Sequence, residues 1–273
     1  MAVVVMREMD DTMENRVIFV HKESQSIHGE QRSAAMLTGD EYDVNFCFPV
    51  KDLESERVKL TPFIPSTHLH EFFAIPSPSY QHFPWGPFLT ADDFNSSLIE
   101  NRIQPNPACV LFAVYDKTKA AETGNPDGAL AGAIGFCDAS SANLHAEVAF
   151  VMISPRFQRT HVTSNAIGLL LHYALDLPSE GGLGLRRVVW KASPLNAASV
   201  KAAERMGFTK EGVLRWHWVL PEGKSMGGNG RERRTGDPKE NALGRDTVVL
   251  SLCWDDWEAY GRDRVVAAMA RTA

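Results

Sequence analysis

Several features that would announce a mechanism are missing from this chain of 273 residues. Cysteine is scarce: Cys47, Cys109, Cys137 and Cys253 are the only four. None is spaced C-x-x-C, which argues against a zinc knuckle or a disulfide framework. Buried free thiols in a reducing compartment are the expectation. No apolar run is long enough to cross a bilayer, and the opening MAVVVM is far shorter than a signal-peptide core. A cytoplasmic protein with no membrane partner is expected. Positive charge is not in excess: 28 Lys and Arg stand against 34 Asp and Glu, a net charge of −6. Global attraction to nucleic acid is thereby excluded, and a phosphate-bearing ligand would need a local site. His68 and His70 do not complete a metal motif, because position 74 is Ala74 where H-E-x-x-H needs a second histidine. No metal is expected, and no internal repeat is present.

The chain is long enough for one domain with a real core. Residues 1–40 are polar and aperiodic and read as an N-terminal arm. Residues 41–265 read as a single domain with a loop insertion at about 221–244, followed by a tail at 266–273. Prolines between 41 and 90 exclude a long helix there, and short helices are expected after Ser66 and Asp92. CVLFAVY (109–115), ALAGAIGFC (129–137) and AEVAFVMI (146–153) read as strands of an antiparallel meander. After Pro155 the period changes. Ile167, Leu170, Leu171, Ala174 and Leu175 fall on one helical face. RRVVWKA (186–192) is a strand, and NAASVKAAERM a helix with Asn196 as N-cap and Gly207 as its stop. Val213–Leu220 and Asp246–Cys253 read as a closing hairpin. The fold class is α/β (α+β), with a mixed sheet flanked by helices.

The segment with chemical promise is SPRFQRTHVTSNA, between a strand and a helix. A helix N-terminus offers unpaired N–H groups and partial positive charge, which suits an anion. Thr160, Thr163 and Ser164 add hydroxyls, and Arg156 and Arg159 add charge. An ordinary capped turn would look similar.

Three blocks then carry a family resemblance over about 109–257. AEVAFVMISPRFQRTHVTSNAI, NAASVKAAERMGFTKEGVLR (196–215) and GRDTVVLSLCWDDWE (244–258) resemble, in order, the strand–loop–helix, the "N-x-x-S … GF-x-x-EG-x-x-R" signature and the closing "RD … W" of the GNAT superfamily, in its RimJ/RimL-like branch. WGPF (85–88) resembles the acceptor-side segment of a "QRT" subgroup, and VKLTPF (58–63) its opening strand. The resemblance implies a GNAT fold, with a mostly antiparallel sheet of about seven strands, and an acetyl-coenzyme A-dependent N-acetyltransferase. It also implies a cofactor site: the main chain of Val151, Met152 and Ile153, the loop Gln158, Arg159, Thr160, His161, Val162, Thr163 with Ser164, and the polar pair Asn196 and Ser199. His161 and Thr163 occupy positions where the family's Q/R-x-x-G-x-G/A loop has small residues, and His161 is expected to crowd a pyrophosphate.

Acetyl transfer to an amine needs a base for the ammonium proton, a donor to the developing oxyanion and a proton for the thiolate. Glu147 is the first candidate base, equally readable as a structural glutamate paired with a neighbouring strand. His217 is the second, and His145, expected in a turn, the third. Ser199 is the candidate proton donor. Trp85, Phe46, Trp216 and Trp218, with Phe48, either line an acceptor pocket or fill the core. The arginines of RERR (231–234) read as a solvated loop or as an anion contact. The acceptor is a small-molecule amine or a peptide N-terminus, and the protein a monomer or homodimer. A catalytically silent binding module, or transfer of a longer acyl group or to a hydroxyl, stands as the alternative.

Overall fold

A computed structural model describes residues 42–75 and 80–271, so the arm expected over 1–40 lies outside the described residues. Eight strands form one sheet in the order β1-β2-β3-β4-β5-β6-β8-β7. They are β1 (Leu53–Glu54), β2 (Val58–Pro62), β3 (Val110–Asp116), β4 (Ala129–Ser140), β5 (His145–Ile153), β6 (Arg187–Ala192), β7 (Thr209–Val219) and β8 (Gly244–Cys253). β5 and β6 run parallel, and every other pair is antiparallel. The strand beyond the expected seven is β1, whose two residues are too short to carry a readable pattern. His145 is the first residue of β5, in register with Ser140 and Arg187, and not part of a turn.

Helices α1 (Pro65–Ala74) and α2 (Ala91–Phe94, continued by a wide turn through Asn95–Ile103) cover one face. Thr90 starts α2 by accepting the Asp93 N–H. Phe72, Phe94, Leu98 and Ile99 pack there against Leu111, Ala113, Leu130 and Met152. A short α3 (Ala120–Thr123) interrupts the β3–β4 loop. The other face carries α4 (His161–Leu175), which crosses from β5 to β6 as a parallel pair requires. α4 is buried on most sides because it lies between the sheet and α7 (Arg262–Ala270), which follows the short α6 (Trp254–Asp256) and the turn Trp257–Gly261. Gly168 permits that contact, since a Cβ there would strike the Met269 side chain. The tail expected from residue 266 is thus largely helix: Val265 and Ala268 are buried in the α4-side core. α5 (Ala197–Arg205) connects β6 to β7.

None of the helices among the described residues is long and apolar enough to cross a membrane.

Candidate active site

The sheet opens where its two parallel strands meet. β5 and β6 pair only from His145/Arg187 to Val148/Trp190, yet β5 runs on to Ile153 and β6 to Ala192. A bulge lies just past the last pair. Phe150 takes a left-handed φ of 55°, and the β4–β5 register shifts between Ala133 and Gly135. Gly132 sits against the Met152 carbonyl, where no Cβ would fit. The bulge sends Phe150 to the α1/α2 side, 6.2 Å from the Trp85 ring centroid, while Val148 faces α4.

The loop after β5 is tied from several sides. Gln158 Nε2 donates to the Ile153 carbonyl at 2.9 Å, and Arg159 adopts φ 62°. Thr160 donates its hydroxyl to the Phe157 carbonyl and accepts the Val162 N–H, so it is the N-cap of α4. Of the predicted contacts, Arg156, Gln158 and Arg159 are exposed and Thr160, His161, Thr163, Ser164 and Val151 half-buried. Met152 and Val162 have buried side chains, so only their main chain could serve, and the Val162 N–H is already taken. His161 does not project freely from the loop. Its Nε2 donates to Asp116 Oδ1 at 3.1 Å, at the end of β3, which fixes the direction of the imidazole.

On the β6 side of the opening, Asn196 caps α5 by accepting the Ser199 N–H at 3.1 Å. The Ser199 oxygen accepts the Trp190 indole N–H at 3.0 Å, and its own proton has no acceptor among the described residues.

The face opposite α4 carries the titratable groups. Glu147 lies across from Cys137 on β4, and its carboxylate meets Lys191 of β6 at 2.8 Å. Lys191 also reaches Asp138 at 3.0 Å. Burial pushes the Glu147 carboxyl above its ordinary range, against the pull of Lys191. Burial works against the Lys191 ammonium too, but Glu147 and Asp138 more than offset it and hold it charged. Burial, then Glu147, drives the Cys137 thiol far up, so it stays protonated and inert. On β7, His217 Nδ1 lies 2.9 Å from Thr247 Oγ1 of β8, which also accepts from Arg245 Nη1 at 3.2 Å. Burial, followed by Lys191 and Arg245, lowers the His217 pKa, so its imidazole is neutral near pH 7.

The match to a family model decides the kinship: residues 57–209, more than half the chain, match the acetyltransferase (GNAT) domain. The chain belongs to the GNAT acetyltransferase family. Similar solved structures include a GCN5-related N-acetyltransferase from Brucella melitensis, 26% identical, with a TM-score of 0.63 over 81% of this chain and 86% of that one. A GNAT-family acetyltransferase from Chromobacterium violaceum ATCC 12472 is 27% identical, with a TM-score of 0.59 over 86% and 100%. A ribosomal-protein-serine acetyltransferase from Vibrio cholerae, 14% identical over 74% and 97% with a TM-score of 0.51, shares the fold. No curated protein matches by sequence.

In this GNAT protein the aromatic candidates separate. Trp85 stacks on Phe83 at 4.3 Å in the cluster beside β5. Trp216 and Trp218 are exposed on the edge strand β7, the first lying over Gly244 and the second against His217. Phe46 is elsewhere: it stacks on Phe136, beside Phe48, in the α4-side core, so it does not line the face that carries Glu147. His68 is buried, with Nδ1 accepting the Ile64 N–H, whereas His70 is exposed.

The insertion also has an anchor that spacing could not show. Lys224 Nζ donates to the carbonyls of Tyr80, Phe83 and Trp85 at 2.9, 2.7 and 3.0 Å, fastening the loop to the WGPF segment. Arg231 pairs with Asp246, and Arg234 with Asp237. A cleft of about 650 Å³ lined by Ser225, Asn229, Arg231, Arg233 and Leu243 lies on this loop, and another of about 410 Å³ lies beside Leu177, Arg186 and Trp254. Neither is lined by β5 or by the first turn of α4.

Proposed function

We propose that this GNAT protein transfers an acetyl group from acetyl-coenzyme A directly to a primary amine, of a small molecule or a peptide N-terminus, with both bound at once. The observation that carries this reading is the early end of the β5–β6 ladder at Val148/Trp190, flanked by Glu147 on one side and the first turn of α4 on the other. The donor set suits a nucleotide thioester. First-turn amides of α4 and the exposed Arg156 and Arg159 suit a diphosphate. The main chain of Val151, beyond the last β6 partner, suits the amides of a pantetheine arm. When bound, the thioester supplies an activated acetyl group.

Glu147 is the group for the ammonium proton, taken directly or through a water. Its raised pKa makes it a stronger base than an ordinary carboxylate, and Lys191 at 2.8 Å partly offsets the cost of its burial. His217 is less well disposed. Its Nδ1 is engaged with Thr247 Oγ1, which itself accepts from Arg245, and two cations bear on the ring. Ser199, its oxygen oriented by Trp190, holds the proton for the departing sulfur.

We place the protein in the RimJ/RimL-like branch on its three sequence blocks, and in a reducing cytoplasm on its four free cysteines. The aromatic surround of Trp85 supports a small-molecule acceptor over a ribosomal protein. The test is product mass after incubation with an amine panel and acetyl-, propionyl- and succinyl-coenzyme A. Acetylated amine is expected. Binding of acetyl-coenzyme A without acylation of any amine would contradict catalysis and leave a binding module.

A further inference from the structure

Among the described residues, Arg245 is a buried cation without an anion. It lies on β8 with 5% of its surface exposed. A guanidinium brings five N–H donors and a permanent charge, and burying one without a partner is strongly unfavourable. Its only hydrogen bond among the described residues is the one to Thr247, and its Nε is buried with none.

The nearby acids are already used. Glu147 acts on Arg245 from beyond ion-pair distance and is held by Lys191. The Asp246 carboxylate takes the Trp216 N–H, Asn229 and Arg231. Arg245 also acts on His82, His217 and Lys224, all lowered by burial first and then by positive neighbours that include Arg245. Lys224 spends its donors on carbonyls. Arg245 and Thr247 share the face of Glu147 and Lys191, because the intervening Val248, Leu250, Val148 and Trp190 point into the α4-side core. Trp216 over Gly244 and Trp218 in register with Arg245 flank the spot from the exposed edge strand.

We propose that Arg245 is the receptor for an anionic oxygen group, carboxylate or phosphate, carried by the amine acceptor. The acceptor would lie across the face with its anion at Arg245 and its amine toward Glu147. The fork of a guanidinium matches both anions in two-pronged fashion. The inference rests on the acetyl-transfer reading and names the substrate class for that site.

The test compares matched amines with and without the anion: phenylalanine against 2-phenylethylamine, and O-phosphoethanolamine against ethanolamine, with rates expressed per neutral amine. In the wild type, the anionic member of at least one pair is expected to have a kcat/KM higher by about tenfold or more. The pair that shows it identifies the anion. In Arg245→Met that preference should fall to below about threefold, and Arg245→Lys, which keeps charge without the fork, should retain part of it. Should Arg245→Met not fold, titration of the wild type with N-acetylphenylalanine and N-acetyl-2-phenylethylamine gives the same comparison. Equal turnover within both pairs, or a preference that survives Arg245→Met, overturns the role of Arg245 alone. Turnover of no amine at all overturns the acetyl-transfer reading and this inference with it.

Discussion

Replacing Glu147 by Gln separates the two roles open to that residue. The amide keeps the shape and can still accept from Lys191, so the perturbation removes charge and basicity but not packing. Glu147 has 12% of its side chain exposed, and the carboxylate meets Lys191 at 2.8 Å. Two effects on stability oppose each other. The ionised carboxylate is costly to bury, as its raised pKa shows, and the amide relieves that cost. Lys191 loses one counter-charge but keeps Asp138 at 3.0 Å. The net change should stay within about 1 kcal/mol, well short of the 3–5 kcal/mol or so for stripping a fully buried pair.

The effect on rate is larger. Loss of a positioned base costs about a hundredfold or more, equivalent to about 2.7 kcal/mol of barrier. The pH dependence carries the sign. Wild-type kcat should rise with pH through the raised pKa of Glu147 and then level off. In the Gln variant that limb disappears, and the rate should climb about tenfold per pH unit toward the amine's own pKa, because only pre-formed neutral amine can react. Steady-state kinetics between pH 5 and 9, with thermal melting as the folding control, reads both. A variant with kcat within threefold of wild type at pH 7, or with an unaltered profile, would refute the assignment and leave Glu147 as a strand-to-strand ion pair.

Three other outcomes follow from the contacts described. Lys224→Met should destabilise the protein by about 1–3 kcal/mol, because charge-assisted bonds to three carbonyls are lost, and should raise KM for the amine more than Kd for acetyl-coenzyme A; chemical denaturation and calorimetry check the split. His161→Gly should leave acetyl-coenzyme A affinity within about threefold but cost about 1–3 kcal/mol of stability, since Asp116, 3% exposed, loses a partner; a large loss of affinity would make the imidazole a ligand contact. Glu211 is held at about 2, chiefly by the Arg187 guanidinium and then by Ser251. Because its folded pKa is depressed, the pair's contribution is complete above the ordinary glutamate range near 4.5 and fades as pH falls toward 2. Solvent screening at this half-exposed pair keeps it below about 1 kcal/mol, so wild type should lose slightly more melting temperature than Arg187→Met across that window.

Periodicity made the central elements legible. The alternation in β5 and the apolar face of α4 were readable because the sheet and the helix each bury a fixed face. Elements set by long-range contacts were not. β1 is two residues held by β2, and the end of α7 is helical because it packs on Gly168. Phe46, in a proline-rich stretch with no period, could be assigned to no face. Of the proposed site, Glu147, the loop and Ser199 were nameable from sequence because they sit on named blocks. Lys191 was within reach, since RVVWKA alternates and puts Lys191 on the face away from Trp190. Lys224 was not, because its carbonyl partners lie up to 144 residues away. Arg245 stood in a recognised block, yet a lack of partners is visible only in three dimensions.

In the proposed reading, the first turn of α4 grips a nucleotide diphosphate where β5 leaves β6. Calorimetric titration with acetyl-coenzyme A and with S-acetylpantetheine, which lacks the diphosphate, tests it most directly. Saturable binding of acetyl-coenzyme A, at least about tenfold tighter than of S-acetylpantetheine, is expected. Equal affinity for the two, or no heat from acetyl-coenzyme A at millimolar concentration, would contradict it.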